Sequence, residues 1–458
     1  MSARRRGLWG TRFGFYLAAI GSAFGLGNIW RFPYVTVENG GGAFVFLYVI
    51  FAIAIGLPIL IGELMLGKLS RRSVVTAVAR LKPEATNSTL ARYLPWAGRL
   101  SAISCLLVLS YYAVISGWVL HFLMQFFFGH LFSGGYDAET SLRVLRENGW
   151  LQIALTSAHL LMTLVIVAKG VQEGMEKWVS HAMPVFVVLL VILVTKSLSL
   201  PMATEAIRFM LYPDFTKLTP YSALQALGHV LFTLSVGFGT MVTFGSYLNE
   251  QTHIPSAGFR VTSMDTIISL FAGLLIFPLL IGPSLPTASP ELVFQALPRL
   301  LAGLDNGFLF GLAFFVCLYL AALGASIGML EALVSNVLDV TKLGRTRATW
   351  LTGLVAFMLS VIPALSTSVL SGVQLRGNGL LEILDGALIT ILLPIAALGI
   401  SLAVALGLKR EDVEAEFIND DSIATRKLYS HWFFALKWLV PGVVLTAFAF
   451  ALYGWLRA

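Results

Sequence analysis

Charge is scarce in this sequence. Only 12% of its 458 residues are Asp, Glu, Lys or Arg, against 57% hydrophobic, and the mean hydropathy is +0.83. An ordinary soluble domain carries roughly twice that share of charge, so a soluble globular fold is excluded. Cysteine is nearly missing as well. Cys105 and Cys317 both fall inside apolar stretches, which leaves neither a disulfide framework nor a zinc site. No Walker or dinucleotide glycine pattern appears, and that removes the usual nucleotide chemistry.

What is present instead is a succession of long apolar runs. They recur at 13–36, 42–66, 101–129, 151–168, 182–200, 223–248, 261–283, 306–340, 349–366, 380–408 and 432–456, called spans one to eleven below. A membrane-crossing helix needs ~20 such residues. A transmembrane β-barrel would alternate in ~10-residue segments, and these runs do not. The expected class is an all-α polytopic membrane protein of eleven transmembrane helices embedded in a lipid bilayer.

The formal net charge of +7 does not point to nucleic acid, because the basic residues sort by loop. With the N-terminus inside, the inside segments hold Arg4, Arg5, Arg6 and Arg12, then Lys68, Arg71, Arg72, Arg80 and Arg99, and later Lys169, Lys177, Lys342, Arg345, Arg347, Lys409 and Arg410. The outside loops are poorer, with Arg143, Arg146, Arg208, Lys217, Arg299 and Arg376. This is the positive-inside asymmetry, and an odd number of crossings then puts the C-terminus outside. Span one is too long for a cleavable signal, and Arg31 stands where a processing site would be needed.

Two spans are interrupted. Span one contains "IGSAFGLGNIWRFP" (20–33), and span six reads "HVLFTLSVGFGTMVTFGSY" (229–247), with Ser235, Gly237 and Gly239 at mid-membrane. Glycines in membrane helices mostly serve close packing, and Gly21 and Gly25 match that small-residue spacing. Two breaks in register, the first flanked by Asn28 and Arg31, favour a binding site, since a backbone break at membrane depth must be buried or line a polar cavity. The breaks open successive groups of five spans and predict inverted repeats at 13–200 and 201–408, after a tail at 1–12 and before a loop and last helix at 409–458. The Pro-punctuated connection 284–305 reads as an outer lid, and the inside loop 68–99 as lying along the membrane surface.

Unwinding a helix frees backbone groups. Its N–H groups at a half-helix start suit a carboxylate, and its carbonyls suit a hard cation such as sodium. Asn28 and Thr233 add neutral side-chain oxygens. The arrangement therefore asks for a zwitterion or carboxylate beside a small cation.

The stretches "GSAFGLGNIWRFPYVTVENGGGAF", "SYYAVISGW" and "FTLSVGFG" resemble the neurotransmitter:sodium symporter family, in its bacterial amino-acid branch. The resemblance runs along essentially the whole chain. It implies the five-plus-five inverted repeat of the bacterial leucine transporter, in the inner membrane of a bacterium, with alternating access. The implied substrate pocket draws Ala23, Gly25, Leu26 and Gly27 from span one, and Val108 and Tyr112 from span three. It adds Phe232, Thr233, Ser235 and Phe238 from span six, and Ala325 and Met329 from span eight. Tyr112 would hydrogen-bond the substrate carboxylate. Amine-transporting relatives carry an aspartate where this chain has Gly25, so the resemblance implies an amino acid, not a monoamine. Aromatic and aliphatic walls favour an apolar side chain, and Ala325 leaves space for a large one unless Met329 refills it. Arg31 with Asp385 would close the outer side, helped by Tyr112 and Phe238; Arg6 with Asp339, packed by Trp9 and approached by Ser246 and Tyr247, would close the inner side.

Three departures from the family pattern carry information. The implied first sodium site has Ala23, Asn28 and Thr233, but its second asparagine is Asp265, and the acid common one turn later is Ser269. Chloride-dependent relatives have that serine and use nearby hydroxyls, here including Tyr48; Asp265 would repel chloride, so chloride independence is expected. His229 replaces a glutamine and lies one turn before Thr233, where it forms either a proton-responsive pair with Asp265 or a neutral hydrogen-bonding substitute. At the implied second sodium site the usual Thr-Ser pair is Gly324-Ala325. Only the carbonyls of Gly21, Phe24 and Ala321 remain, too few oxygens for a hard cation, and the expectation is that this site is lost unless Ser326 supplies a hydroxyl. The readings open at this point are a one-sodium symporter of an apolar amino acid, a proton-coupled transporter on the same fold, and a sensor that binds without transport. The short loops and tails offer the sensor no signalling appendage. An enzyme is not expected, because the spans hold no nucleophile–base pair or metal cluster.

Overall fold

The computed structural model describes residues 7–81, 88–132, 137–281, 292–375, 378–418 and 423–457. Among these residues the chain is almost wholly helical; a two-rung antiparallel hairpin, Gln374–Leu375 with Asn378–Gly379, is the small exception to the all-α expectation. Among the described residues ten helices are long and apolar enough to cross a membrane, from Arg12–Glu38 and Gly42–Ser70 to Leu380–Gly407 and Thr425–Phe450. The expected count of eleven differs by span six. There the chain forms two helices, Pro220–Thr233 and Thr240–Ser246, neither of which reaches across on its own.

Local chemistry explains where these helices start and stop. The Thr11 hydroxyl accepts from the Gly14 N–H and caps the first half of span one. That helix, Arg12–Ala23, ends where Phe24 turns extended (φ −74°, ψ 105°), and the chain resumes as a π-helical turn, Gly27–Arg31, running into Phe32–Glu38. Span six begins with a capping box between Thr219 and Ser222 and Pro220 in the first turn. It breaks where Ser235, Gly237 and Gly239 take φ of +52°, +82° and +76°. Glycine reaches that region freely, whereas a serine there costs roughly 1–2 kcal/mol. The cost at Ser235 is offset by a hydrogen bond from its Oγ to the Ser22 carbonyl at 2.9 Å, which ties one broken helix to the other. Glu63 of span two accepts from the Gly237 N–H at 2.6 Å and satisfies a donor that the break exposes.

Two connections complete the frame. The lid expected at 284–305 lies outside the described residues as far as 291; its remainder forms short helices Leu292–Gln295 and Leu297–Ala302. Phe294 from this stretch packs on Trp118 and Phe122 of span three, at ring separations of 5.6 and 5.9 Å. In the described part of the inside loop, helix Val74–Ala79 buries Val74, Ala77 and Val78 and leaves Ala79 exposed; a Cβ placed on Gly239 would sit 2.4 Å from Val74 Cγ1, so its buried face packs against the span-six break.

Candidate functional site

The two breaks face span three and span eight. The Gly25 N–H donates to Asn28 Oδ1 at 3.2 Å, and the next N–H, that of Leu26, donates to the Tyr112 hydroxyl at 2.8 Å. A Cβ on Gly25 would meet Tyr112 Oη at 2.7 Å and Ala325 Cβ at 3.1 Å. Gly25, Tyr112 and Ala325 therefore converge on one point, and only a residue without a side chain fits there. A Cβ on Gly27 would meet the Phe232 ring at 2.9 Å and Thr233 Cγ2 at 3.1 Å. Ala23, Val108 and Met329 are buried beside these groups, and the Met329 carbonyl accepts from Cys105 Sγ at 3.5 Å. Tyr112 packs against Phe232 (6.4 Å), and Phe238 stands one ring further on, edge-on to Phe232 (6.2 Å). Phe232 thus takes the place beside Tyr112 that sequence reading assigned to Phe238; both aromatics lie close to the break, and only their side-chain directions separate them.

Next to the first break lies a buried polar cluster. Asn28 Nδ2 donates to Asp265 Oδ1 at 2.7 Å and to Ser269 Oγ at 2.8 Å. Tyr48 Oη lies 2.9 Å from Ser269 Oγ and 3.4 Å from Asp265 Oδ2. Asn28, Asp265 and Ser269 are fully buried, as are Tyr48 and Thr233 to within a percent. Asn28 and Tyr48, which touch the Asp265 carboxyl group, are both neutral, and neither brings a compensating charge. His229 is brought to the same cluster but not onto Asp265. Its ring stacks on Phe32 (5.6 Å) and packs on Tyr48 (5.3 Å), and neither ring nitrogen has a hydrogen-bond partner among the described residues.

The second implied sodium position is packed by backbone. A Cβ on Gly324 would lie 2.6 Å from the Gly21 carbonyl oxygen, and one on Gly328 would lie 2.1 Å from Ser22 Oγ. Span eight thus rests directly on span one at its two glycines, the close-approach geometry of small-residue helix pairs. Phe24 turns to stack on Phe186 of span five at 5.5 Å, and Ala321 is buried. Ser326 does not serve this place, since its hydroxyl pairs with His159 Nε2 at 2.8 Å on the span-four side.

At the expected outer gate Arg31 and Asp385 meet at 3.4 Å, both buried. Sequence reading missed their companions. Tyr34 and Tyr111 donate to Asp385 at 3.0 and 3.1 Å, and Gln225 accepts from Arg31 at 3.0 Å. The tandem tyrosines of "SYY" and the placement of Gln225 one turn before His229 were the available signals. At the expected inner gate Trp9 donates through its backbone to the Tyr247 carbonyl (3.1 Å) and through Nε1 to the Phe244 carbonyl (3.2 Å). Ser246 Oγ donates to the Thr243 carbonyl at 2.6 Å. Asp339 accepts from the Ser73 N–H and hydroxyl, each at 2.7 Å, and pairs with Arg72 at 3.5 Å. Arg6, its expected partner, lies outside the described residues. Glu331, a fully buried acid of span eight, pairs with Arg345 and accepts from Tyr247 at 2.6 Å, a contact its apolar surroundings in sequence did not announce.

Comparison with known proteins shows what the chain is similar to. The model of the sodium:neurotransmitter symporter family matches residues 6–134 and 137–456. The sodium-dependent transporter YhdH of Bacillus subtilis is 36% identical over 451 residues, covering 98% of each chain. A sodium-dependent transporter of Haemophilus influenzae is 31% identical over 457 residues, 97% of this chain and 98% of its own. The crystal structure of MhsT in complex with L-phenylalanine superposes with a TM-score of 0.90 at 33% identity, covering 98% of this chain and all of the other.

Proposed function

This chain belongs to the sodium:neurotransmitter symporter family, and we propose that it couples uptake of a large apolar amino acid to a single sodium ion, without chloride. It is a multi-pass membrane transporter and not an enzyme. The observation that carries the proposal is the meeting of the two breaks. A neutral Gly25 lies against the Tyr112 hydroxyl and the free end of a half-helix, one turn from a buried cluster of Asn28 and Asp265. A substrate carboxylate would accept from the Tyr112 hydroxyl, whose oxygen accepts from the Leu26 N–H, and no side-chain acid is present at Gly25 to receive a lone amine. Phe232, Phe238, Val108, Ala325 and Met329 supply an apolar wall, and the phenylalanine held by MhsT is of the expected size.

One sodium site follows from the two cation positions taken together. Ala23, Asn28, Thr233 and Asp265 retain oxygens at the first, and Asp265 supplies the fixed negative charge that chloride would otherwise bring. At the second, Gly324 and Ala325 bring no hydroxyl, and the contact of Gly324 with the Gly21 carbonyl brings two backbones together. Span six would cross as one broken helix, giving eleven crossings in a five-plus-five repeat. Arg31 with Asp385 would close the outer side, and the Trp9, Tyr247 and Asp339 contacts the inner. A proton-coupled transporter is the second reading. It is favoured by the all-neutral company of Asp265, whose charge either a sodium ion or a proton would cancel.

The test is thermal unfolding of the purified protein against the twenty amino acids, in sodium or choline and in chloride or gluconate. A ligand that binds only the folded state raises the melting temperature. Stabilisation by large apolar amino acids in sodium, equal in chloride and gluconate, is the expected result. Stabilisation in choline that changes with pH selects the proton-coupled reading, and no stabilisation by any amino acid overturns the substrate class.

A further inference from the structure

Away from the central site, a cavity of about 530 Å³ opens on the membrane-facing side of the bundle, between the end of span four, the start of span five and the middle of span eight. Its mouth carries Lys169, Lys177 and His181, with Glu173 as the one acid, and its floor is apolar, built on Trp178 and Leu320. Among the described residues neither lysine has an acid within ion-pair distance. His181 spends Nδ1 on the Lys177 carbonyl at 2.8 Å and keeps Nε2 free of that bond. The groove lies at the end of the bundle that holds the N-terminal segment, because Glu176 of the same turn accepts from the Gly10 and Thr11 N–H groups at 2.7 and 3.0 Å.

From this geometry we infer that the groove is a binding site for an anionic glycerophospholipid, with its phosphate between Lys169 and Lys177 and its chains on Trp178 and Leu320. A soluble anion would meet two lysines but leave the apolar floor in contact with water or a neutral lipid. A neutral lipid would cover the floor but leave two cations uncompensated at the membrane boundary, where each basic residue is drawn to anionic headgroups. Only a ligand with both parts matches both walls. The occupant would also touch the transport machinery, because Trp178 is the wall shared with span eight; its ring lies 3.5 Å from a Cβ placed on Gly324.

The experiment uses the full purified chain in detergent micelles, titrated with dioleoyl-phosphatidylglycerol, dioleoyl-phosphatidylcholine or inorganic phosphate. Melting temperature and the number of bound lipids by native mass spectrometry are recorded. The expected result is saturable stabilisation and lipid retention with phosphatidylglycerol alone. In Lys169→Gln/Lys177→Gln the half-saturating lipid concentration rises by about tenfold or more. The control pair Lys342→Gln/Lys409→Gln, basic residues of the same face outside the groove, leaves it unchanged. Equal effects of phosphatidylcholine, stabilisation by inorganic phosphate, or an unchanged titration in the groove variant would each overturn the inference. Lipid retention is counted separately from thermal stability, so a loss of folding in the variant does not masquerade as a loss of binding.

Discussion

At Asp265 a carboxyl group stands among Asn28, Tyr48 and Ser269, all neutral and all buried. A carboxylate in such a place is costly unless a cation or proton joins it, and in the proposed mechanism that single residue would set the ionic requirements of the site. Replacing it tests this directly. Asp265→Asn is expected to lower sodium affinity at least tenfold and to make transport chloride-dependent, read by uptake in chloride against gluconate, since Tyr48, Ser269 and the new amide would then present donors to an anion. Arg31 makes the opposite case, a buried cation held by Asp385 and Gln225 with Nη1 left unpartnered. Removing one member of a buried pair costs about 3–5 kcal/mol, because the other charge stays behind. Arg31→Gln and Asp385→Asn are therefore each expected to lower the melting temperature markedly, and the double variant by less than their sum, as a double-mutant cycle by denaturation would measure. That Arg31 and Asp385 belong together was legible in sequence through the family resemblance. Tyr34 and Tyr111 were not, because nothing local to residue 34 or 111 reports a carboxylate more than 270 positions away.

Spans one and six act as elements because each is two half-helices joined by a turn, and the two turns are tied by the Ser235–Ser22 hydrogen bond. Their glycines were legible as interruptions, since helix propensity and hydropathy both register them. Their glycines and those of span eight serve different ends. Gly237 and Gly239 take positive φ, while Gly324 and Gly328 are plain helical positions whose missing side chains let span eight touch span one. Gly324→Ala is expected to destabilise the protein by ~1–3 kcal/mol, because the atom it meets at 2.6 Å is the Gly21 carbonyl and a backbone cannot swing aside. The neighbouring Ala325→Ser adds a hydroxyl at a position near Gly25 and should cost less; chemical denaturation of both variants compares them.

At the scale of the whole molecule the question is which face is which. Cys105 and Cys317 are buried, so a cysteine introduced at an exposed site would report topology without background labelling. Gly344 and Gly372 have open space around them and sit in the connections after spans eight and nine. In intact cells Gly372→Cys is expected to react with a membrane-impermeant maleimide, and Gly344→Cys only after permeabilisation; the reverse pattern would invert the orientation. Hydropathy, the loop distribution of Lys and Arg, and the two glycine-rich interruptions were enough to determine from sequence alone a helical membrane protein with two broken helices. These properties are local or additive along the chain, so periodicity and composition record them. Only the tertiary structure decided that Tyr112 packs on Phe232, that Glu331 meets Arg345 and Tyr247, and that helix Val74–Ala79 supports the second break. Such contacts depend on side-chain direction and on packing between helices distant in sequence, neither of which the order of residues along one helix encodes.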